Sequence, residues 1–126
     1  MTTDLDPGRC PKPKPKGGTE VGRFVIAAYR PRAGKAERLL ELVKEHLPIL
    51  RAQGLATERP PYVMRAADGT LVEVFEWQSD EAARQAHNNP AVLAMWARFG
   101  EACEYDCLAS LAECKTPFPH FEPVDF

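Results

Sequence analysis

The sequence lacks any long apolar run. The longest, from Phe24 to Tyr29, is far too short to span a bilayer. It also lacks an excess of charge of one sign, since sixteen basic residues stand against eighteen acidic ones and the net charge is −2. So weak a field steers a protein neither to nucleic acid nor to an anionic membrane surface. We therefore expect neither of these as a partner.

Cysteines are few and carry no recognisable pattern. Cys103 and Cys107 have no partner pair and no histidine cluster at zinc spacing, and Cys10 lies in a segment with no core around it. The first twenty residues contain no apolar core of a signal peptide. We therefore expect four reduced thiols in the cytoplasm and no metal site. The chain also lacks a nucleotide-binding loop and a serine nucleophile elbow, so no cofactor is expected.

The first segment, Met1–Glu20, is rich in proline and lysine and is predicted to be a disordered basic tail. Two other interpretations stay open. The segment is a basic docking arm, or translation begins at Val21 and the segment is not made. The 126 residues form one domain in all three cases.

The first strand and helix are predicted just after this segment. Arg23–Tyr29 is predicted to be a strand with apolar residues on both of its faces. This pattern indicates that both faces are covered. A helix follows from about Lys35, and Pro48 should kink or end it, with Gly54 as a stop. Its apolar stripe is Leu39, Leu40, Val43, Leu47 and Leu50.

A hairpin is predicted next, with strands at Tyr62–Ala66 and Leu71–Trp77 around a two-residue turn at Asp68-Gly69. A symmetric turn pairs Tyr62 with Phe75 and Met64 with Glu73 on one face. On the other face it pairs Val63 with Val74 and Arg65 with Val72.

A second helix is capped by Ser79, pauses at Asn88-Asn89 and restarts at Pro90. A final strand is predicted at Tyr105–Ala112. The last residues, 115–126, form an extended tail rich in proline and phenylalanine. We expect this tail to pack on the domain or across a dimer.

The element order β-α-β-β-α-β predicts an α+β fold, a ferredoxin-like sandwich with a four-stranded antiparallel sheet. Right-handed crossovers place both helices on one face of that sheet. The strands are apolar on both faces, and no third layer is predicted. A second subunit is therefore expected to cover the open face, giving a homodimer joined through its sheets.

Several local features resemble the antibiotic-biosynthesis-monooxygenase-like (ABM) family. They are Tyr29-Arg30-Pro31 with Gly34, the strand Val74-Phe75-Glu76-Trp77, the pair Ala86-His87, and Pro90, within residues 21–114. The resemblance implies a dimeric α/β barrel with a small apolar cavity between sheet and helices. Some members oxidise polyphenols or quinols without cofactor or metal, and many have no demonstrated activity.

A haem-degrading branch of the same superfamily binds haem through a histidine, an asparagine and a tryptophan. Trp96, Ala27 and Ala86 stand at the positions of those three residues. The resemblance therefore implies no haem site here.

His87 is the best candidate for a catalytic base, because a cofactor-free oxygenase must make an electron-rich anion from its substrate and histidine titrates near neutrality. The alternative is a structural histidine that complements the dipole of a helix end. His46 is interpreted as a satisfied histidine at the margin of the first helix's apolar stripe.

Glu73 is predicted on the strand face of Leu71, Phe75 and Trp77, so it either reaches a cavity or lies at a sheet edge. A structural ion pair with a basic residue is the alternative to a catalytic role. Strand alternation in the predicted register sets Arg65 on the opposite face, against that particular pair. The candidate substrate-binding residues are Glu73 and five aromatic residues that also suit an ordinary core: Tyr62, Phe75, Trp77, Trp96 and Phe99.

Two functions follow as expectations. One is a cofactor-independent monooxygenase acting on a small aromatic, phenol- or quinol-type substrate. The other is a non-catalytic homodimer that binds a small apolar ligand or serves as a scaffold. A cavity that holds an aromatic ring and a base favours the first, and a filled barrel with His87 in solvent favours the second.

Overall fold

The computed structural model describes residues 21–126, and the predicted tail Met1–Glu20 lies outside them. The fold is α+β. The strands are β1 (Arg23–Pro31), β2 (Tyr62–Arg65), β3 (Leu71–Trp77), β4 (Cys103–Asp106) and β5 (Glu122–Pro123), and the helices are α1 (Ala36–Ala52), α2 (Asp80–Ala86) and α3 (Pro90–Ala102). Among residues 21–126, no helix is long and apolar enough to cross a membrane.

The sheet has five antiparallel strands in the order β4-β1-β3-β2-β5. This arrangement is compatible with a ferredoxin-like fold. Its strand count and order differ from the predicted four-stranded sheet, because the short strand β5 pairs with β2. That pairing is non-local, since it joins Met64 to Pro123, and no local signal in the tail announces it.

The last predicted strand is wrong in its bounds. The chain is extended only over Cys103–Asp106 and then forms two 3₁₀ turns, Leu108–Ser110 and Ala112–Lys115. The Asp106 carboxylate accepts a hydrogen bond from the Cys107 N–H at 2.8 Å, and the Ser110 N–H donates to the Cys107 carbonyl at 3.0 Å. These short-range hydrogen bonds use backbone N–H and carbonyl groups that would otherwise pair with a neighbouring strand.

The hairpin register differs by one residue from the predicted one. Tyr62 lies opposite Val74, and Val63 lies opposite Glu73. The turn has three residues instead of two, since Ala66 donates to the Thr70 carbonyl and Gly69 takes a left-handed φ of 95°. A register shift of one residue moves every side chain of β2 to the other face relative to β3.

Helix α1 runs through Pro48 and ends at Ala52, so Pro48 does not end it. Leu47 and Leu50 on either side of Pro48 are buried, and this burial holds the last turn in place. Gly54 follows with a φ of 72°, as a helix stop requires. The predicted stripe missed Leu42 and placed His46 at its margin, whereas both are buried.

The interruption between α2 and α3 is confirmed. Ser79 caps α2 by accepting a hydrogen bond from the Ala82 N–H. Asn89 caps α3 by accepting from Ala91 and Val92, and Pro90 takes the first position of the helix. Local signals sufficed here because a cap bonds to backbone groups two or three residues away.

The main core lies between the helices and one face of the sheet, with Leu39, Leu50, Val92, Met95 and Phe99 among its fully buried side chains. A second, smaller cluster lies on the other face, where Leu111 packs with Ala66 and Val72. The expectation that no third layer exists is thus wrong in part. Residues after β4 cover one end of the second face.

The rest of that second face is exposed. Phe24 and Ile26 of β1 share it with Tyr62 of β2 and half-buried Val74 of β3. We call these four residues the open apolar patch. More than half of the Phe24 surface and about three quarters of the Tyr62 surface face solvent, at 57% and 74%.

Candidate functional site

A cavity of about 450 Å³ opens between the core-side face of the sheet and the helices. Strands β1, β3 and β4 form its floor, and α1, the α2–α3 region and the core form its walls. The lining residues are Val25, Ala27, Tyr29, His46, Phe75, Trp77, Ala83, His87, Trp96, Phe99 and Tyr105.

Small side chains help to create this space. Alternation along β1 directs Val25, Ala27 and Tyr29 to the core side, and Ala83 of α2 faces the same cavity. Two alanines at lining positions leave volume that larger side chains would fill. The cavity is therefore a consequence of residue size at named positions.

Aromatic rings form most of the wall. Phe75 and Trp77 meet edge to face with ring centroids 5.1 Å apart, and Phe99 packs against Tyr29 at 5.2 Å. Such walls offer both ring faces and ring edges to a ligand. Apolar and aromatic linings with a few polar groups are typical of small-molecule sites.

A buried cluster of three side chains adjoins the cavity: Tyr29 and His46 line it, and Glu73 contacts both of them. The Tyr29 hydroxyl donates to Glu73 Oε1 at 2.8 Å, and His46 Nδ1 lies 2.8 Å from the same oxygen. Glu73 is 1% exposed, and its second carboxylate oxygen has no hydrogen-bond partner within residues 21–126. We call this the buried triad.

Electrostatics keep the proton of the buried triad's phenol on Tyr29. Burial, together with the nearby Glu73 carboxylate, holds the pKa of Tyr29 well above its ordinary value. Tyr29 is therefore a neutral phenol that donates to Glu73. A carboxylate at Nδ1 favours the tautomer in which that nitrogen carries the proton, which leaves Nε2 as the ring's acceptor.

His87 lies at the rim of the cavity. It is the residue that ends α2, its side chain is exposed, and its ring meets Trp96 edge to face with centroids 5.0 Å apart. The two histidines of the site thus differ in burial. His46 is 4% exposed and sits against Phe75 and Phe99, whereas His87 faces solvent.

The structure brings most of the sequence-predicted site residues together. His87, Phe75, Trp77, Trp96 and Phe99 all line the cavity. Glu73 does not line the cavity, but it contacts Tyr29 and His46, which do.

Tyr62 is the exception. It lies on the opposite face of the sheet, in the open apolar patch, because the true hairpin register places it opposite Val74. The same shift puts Arg65 on the face of Glu73, so the predicted placement of Arg65 was wrong. The partner of Glu73 is nonetheless His46.

Sequence reasoning did not select Tyr29, His46 or Tyr105 as site residues. A signal existed for His46, because it lies three residues after Val43 and four before Leu50, in line with the buried stripe. A buried carboxylate on β3 also requires a donor from another element. Tyr105 was predicted at the start of the final strand and does lie in β4, but no pattern in the sequence marked it as a site residue.

The described cysteines are free thiols. Cys103 is buried, and burial raises its pKa to about 11, so it stays protonated at neutral pH. Cys107 is exposed and Cys114 is half-buried. Among the described residues, no three histidine, cysteine or acidic side chains come close enough together to hold a metal ion.

Comparison with known proteins found no matching family model, no matching curated protein and no matching solved structure. Function is therefore argued from the cavity and its residues.

Proposed function

We propose that this protein is a cofactor-independent monooxygenase of the ABM type that binds a small aromatic, phenol- or quinol-type molecule in the cavity. The observation that carries the proposal is the cavity itself, lined by aromatic rings and bearing two histidines. Its volume of about 450 Å³ lies within the range of small-molecule sites.

The chemistry requires no cofactor to balance. A phenol and O₂ give a quinone and water. One atom of O₂ enters the quinone and the other leaves as water, and all the electrons come from the substrate. The substrate must lose two protons on the way, one from its hydroxyl and one from the ring carbon that is oxidised. A base in a pocket that limits access of water suits both steps.

His87 is the proposed catalytic base. Its ring borders the cavity beside Trp96, and histidine changes charge near neutral pH. Phe75, Trp77, Trp96 and Phe99 are proposed to hold the aromatic ring.

We also propose a homodimer joined through the open apolar patch. Monomeric proteins rarely leave such a surface in water, and a twofold axis lets the same patch cover its own copy. Two sheets that pack face to face would give the dimeric α/β barrel. The proposed location of the protein is the cytoplasm.

One observation favours the second candidate, a non-catalytic homodimer that binds a small apolar ligand or acts as a scaffold. His87 is exposed, as a structural histidine at a helix end would be. This candidate keeps the cavity and the dimer and omits turnover.

Oxygen consumption over a panel of phenols and quinols tests the proposal. We expect wild-type protein to consume oxygen with at least one of them, and Ala83→Phe, which fills the cavity, to abolish this. His120→Ala is the matched control, because His120 is exposed and does not line the cavity. Binding of phenols without oxygen uptake would establish the second candidate instead.

A further inference from the structure

The buried triad stabilises the core less than apolar side chains of the same volume would. Its members come from three elements, with Tyr29 on β1, His46 on α1 and Glu73 on β3. A buried polar group costs stability relative to a well-packed apolar side chain unless its hydrogen bonds are all made. One Glu73 oxygen also remains without a partner in the described part of the chain, which adds to the cost.

The triad borders the cavity through His46. Glu73 holds Nδ1, and the rings of Phe75 and Phe99 meet the imidazole at centroid distances of 5.1 and 5.2 Å. The ring contacts hold the plane of the imidazole, and a carboxyl group at Nδ1 favours the tautomer that carries its proton there. A carboxylate that orients a histidine in this way prepares its other nitrogen to accept a proton.

We propose that His46, oriented by Glu73, takes the hydroxyl proton of an aromatic ligand, so that the cavity selects phenols and holds them as phenolates. In this step the ligand's O–H bond breaks, its electron pair stays on oxygen, and the proton bonds to Nε2. The new imidazolium lies between the phenolate and the Glu73 carboxylate. No oxidant takes part.

This inference rests on the proposed function for the identity of the ligand, and it divides the two protons between the two histidines. His46 receives the hydroxyl proton inside the cavity. The proton from the ring carbon is left to His87 at the rim, where an exposed ring exchanges protons with solvent.

The groups that face His46 allow it to gain one proton and a positive charge. Tyr29 from β1 stays neutral, and Glu73 from β3 supplies the negative charge. Across the cavity the titratable side chains are His87 and Tyr105, and burial raises the pKa of Tyr105. The positive charge of a protonated His46 thus has a carboxylate on one side and the phenolate on the other.

4-Nitrophenol is the probe, because its anion is yellow and its neutral form is not. Titrated in the presence of excess wild-type protein, its apparent pKa should fall by at least about one unit, a tenfold shift in its ionisation equilibrium. Glu73→Gln and His46→Gln should each remove most of this shift. His87→Ala should retain it, and His120→Ala is the neutral control.

4-Nitroanisole has the same ring and no ionisable hydroxyl, so it reports on the cavity alone. If 4-nitroanisole binds and bound 4-nitrophenol titrates as it does in free solution, this inference is wrong and the proposed cavity stands. If neither compound binds, the proposed function fails and takes the inference with it. Loss of the shift in His87→Ala would assign the proton to His87 and overturn the inference.

Nitrogen-15 NMR of the wild-type protein decides the matter where a triad variant fails to fold. The His46 ring should change from the Nδ1-protonated neutral form to imidazolium when 4-nitrophenol binds. It should not change with 4-nitroanisole. A His46 signal that is unaltered by 4-nitrophenol would refute the proposal.

Discussion

At the scale of single residues, Glu73 decides the chemistry of the interior. It is an acidic side chain, 1% exposed, and joined to Tyr29 and His46 through one oxygen. A carboxylate in such a place is tolerated only with donors around it. The triad is therefore both a structural constraint and the polar feature of the cavity.

We expect His46→Ala to lower the free energy of unfolding by about 3 kcal/mol, because it leaves the buried Glu73 carboxyl group with one donor fewer. Urea unfolding followed by circular dichroism measures this. Glu45→Ala, next to it on α1 but exposed, is the control and should change stability by less than about 0.5 kcal/mol. A loss below about 1 kcal/mol in His46→Ala would show that water replaces the imidazole.

His87→Ala separates a catalytic from a structural histidine. If His87 is a base, oxygen uptake with a phenolic substrate should fall about a hundredfold or more, while stability changes by less than about 1 kcal/mol. Both quantities are measured on the one variant. Full activity in a destabilised His87→Ala protein would remove His87 from the mechanism.

At the scale of elements, the hairpin turn sets the register on which the faces depend. Gly69 has a φ of 95°, and no atom lies within 4 Å of the place where a Cβ would be added. A side chain at this position would therefore destabilise the protein through its backbone conformation and not through a steric clash.

Gly69→Ala should destabilise the protein by about 1–2 kcal/mol, since an L-residue resists positive φ. Gly100→Ala is the matched control. Gly100 also has open space around it but lies inside helix α3, so alanine there should stabilise by up to about 1 kcal/mol. Thermal unfolding of both variants is the measurement, and equal effects would contradict the assigned turn.

The segment after β4 is a further element with a structural role. It places Leu111 against Ala66 and Val72, and it adds β5 to the sheet, with Phe121 half-buried beside them. Asp106, the last residue of β4 and directly before that segment, is held by an ion pair with Arg30. The Arg30 guanidinium and the Cys107 N–H lower the pKa of Asp106 to about 2.

Truncation after Thr116 removes β5 and Phe121 and should lower the melting temperature. Phe121→Ala should reproduce part of the loss, on the order of 1–2 kcal/mol, whereas Phe118→Ala should have little effect because Phe118 is 82% exposed. An unchanged melting temperature in the truncated protein would show that the tail adds nothing to the fold.

At the scale of the whole molecule, the sheet has one face in the core and the other only partly covered. Helices α1 and α3 cover the first face, and the C-terminal segment covers one end of the second. The open apolar patch is what remains, and the proposed dimer would bury it.

Analytical sedimentation at micromolar concentration should show a dimer. Ile26→Lys, which puts a charge in the centre of the patch, should give a folded monomer. Leu93→Lys is the control, because Leu93 is similarly exposed but lies on α3. A stable wild-type monomer would refute the proposed interface.

Features that depend on near neighbours could be predicted from the sequence. The caps at Ser79 and Asn89, the restart at Pro90 and the alternation along β1 each follow from interactions over a few residues. The aromatic side of the cavity was also predictable, because strand and helix periods place Phe75, Trp77 and Phe99 on buried faces.

Only the tertiary structure decided the rest. One additional residue in the hairpin turn moved Tyr62 out of the site and Arg65 to the face of Glu73, because side chains on a strand alternate with a period of two. The partners His46 and Glu73 are 27 residues apart in the chain. Which buried donor meets a buried carboxylate depends on how helix and sheet pack. No local sequence pattern predicts a contact between residues so far apart in the chain.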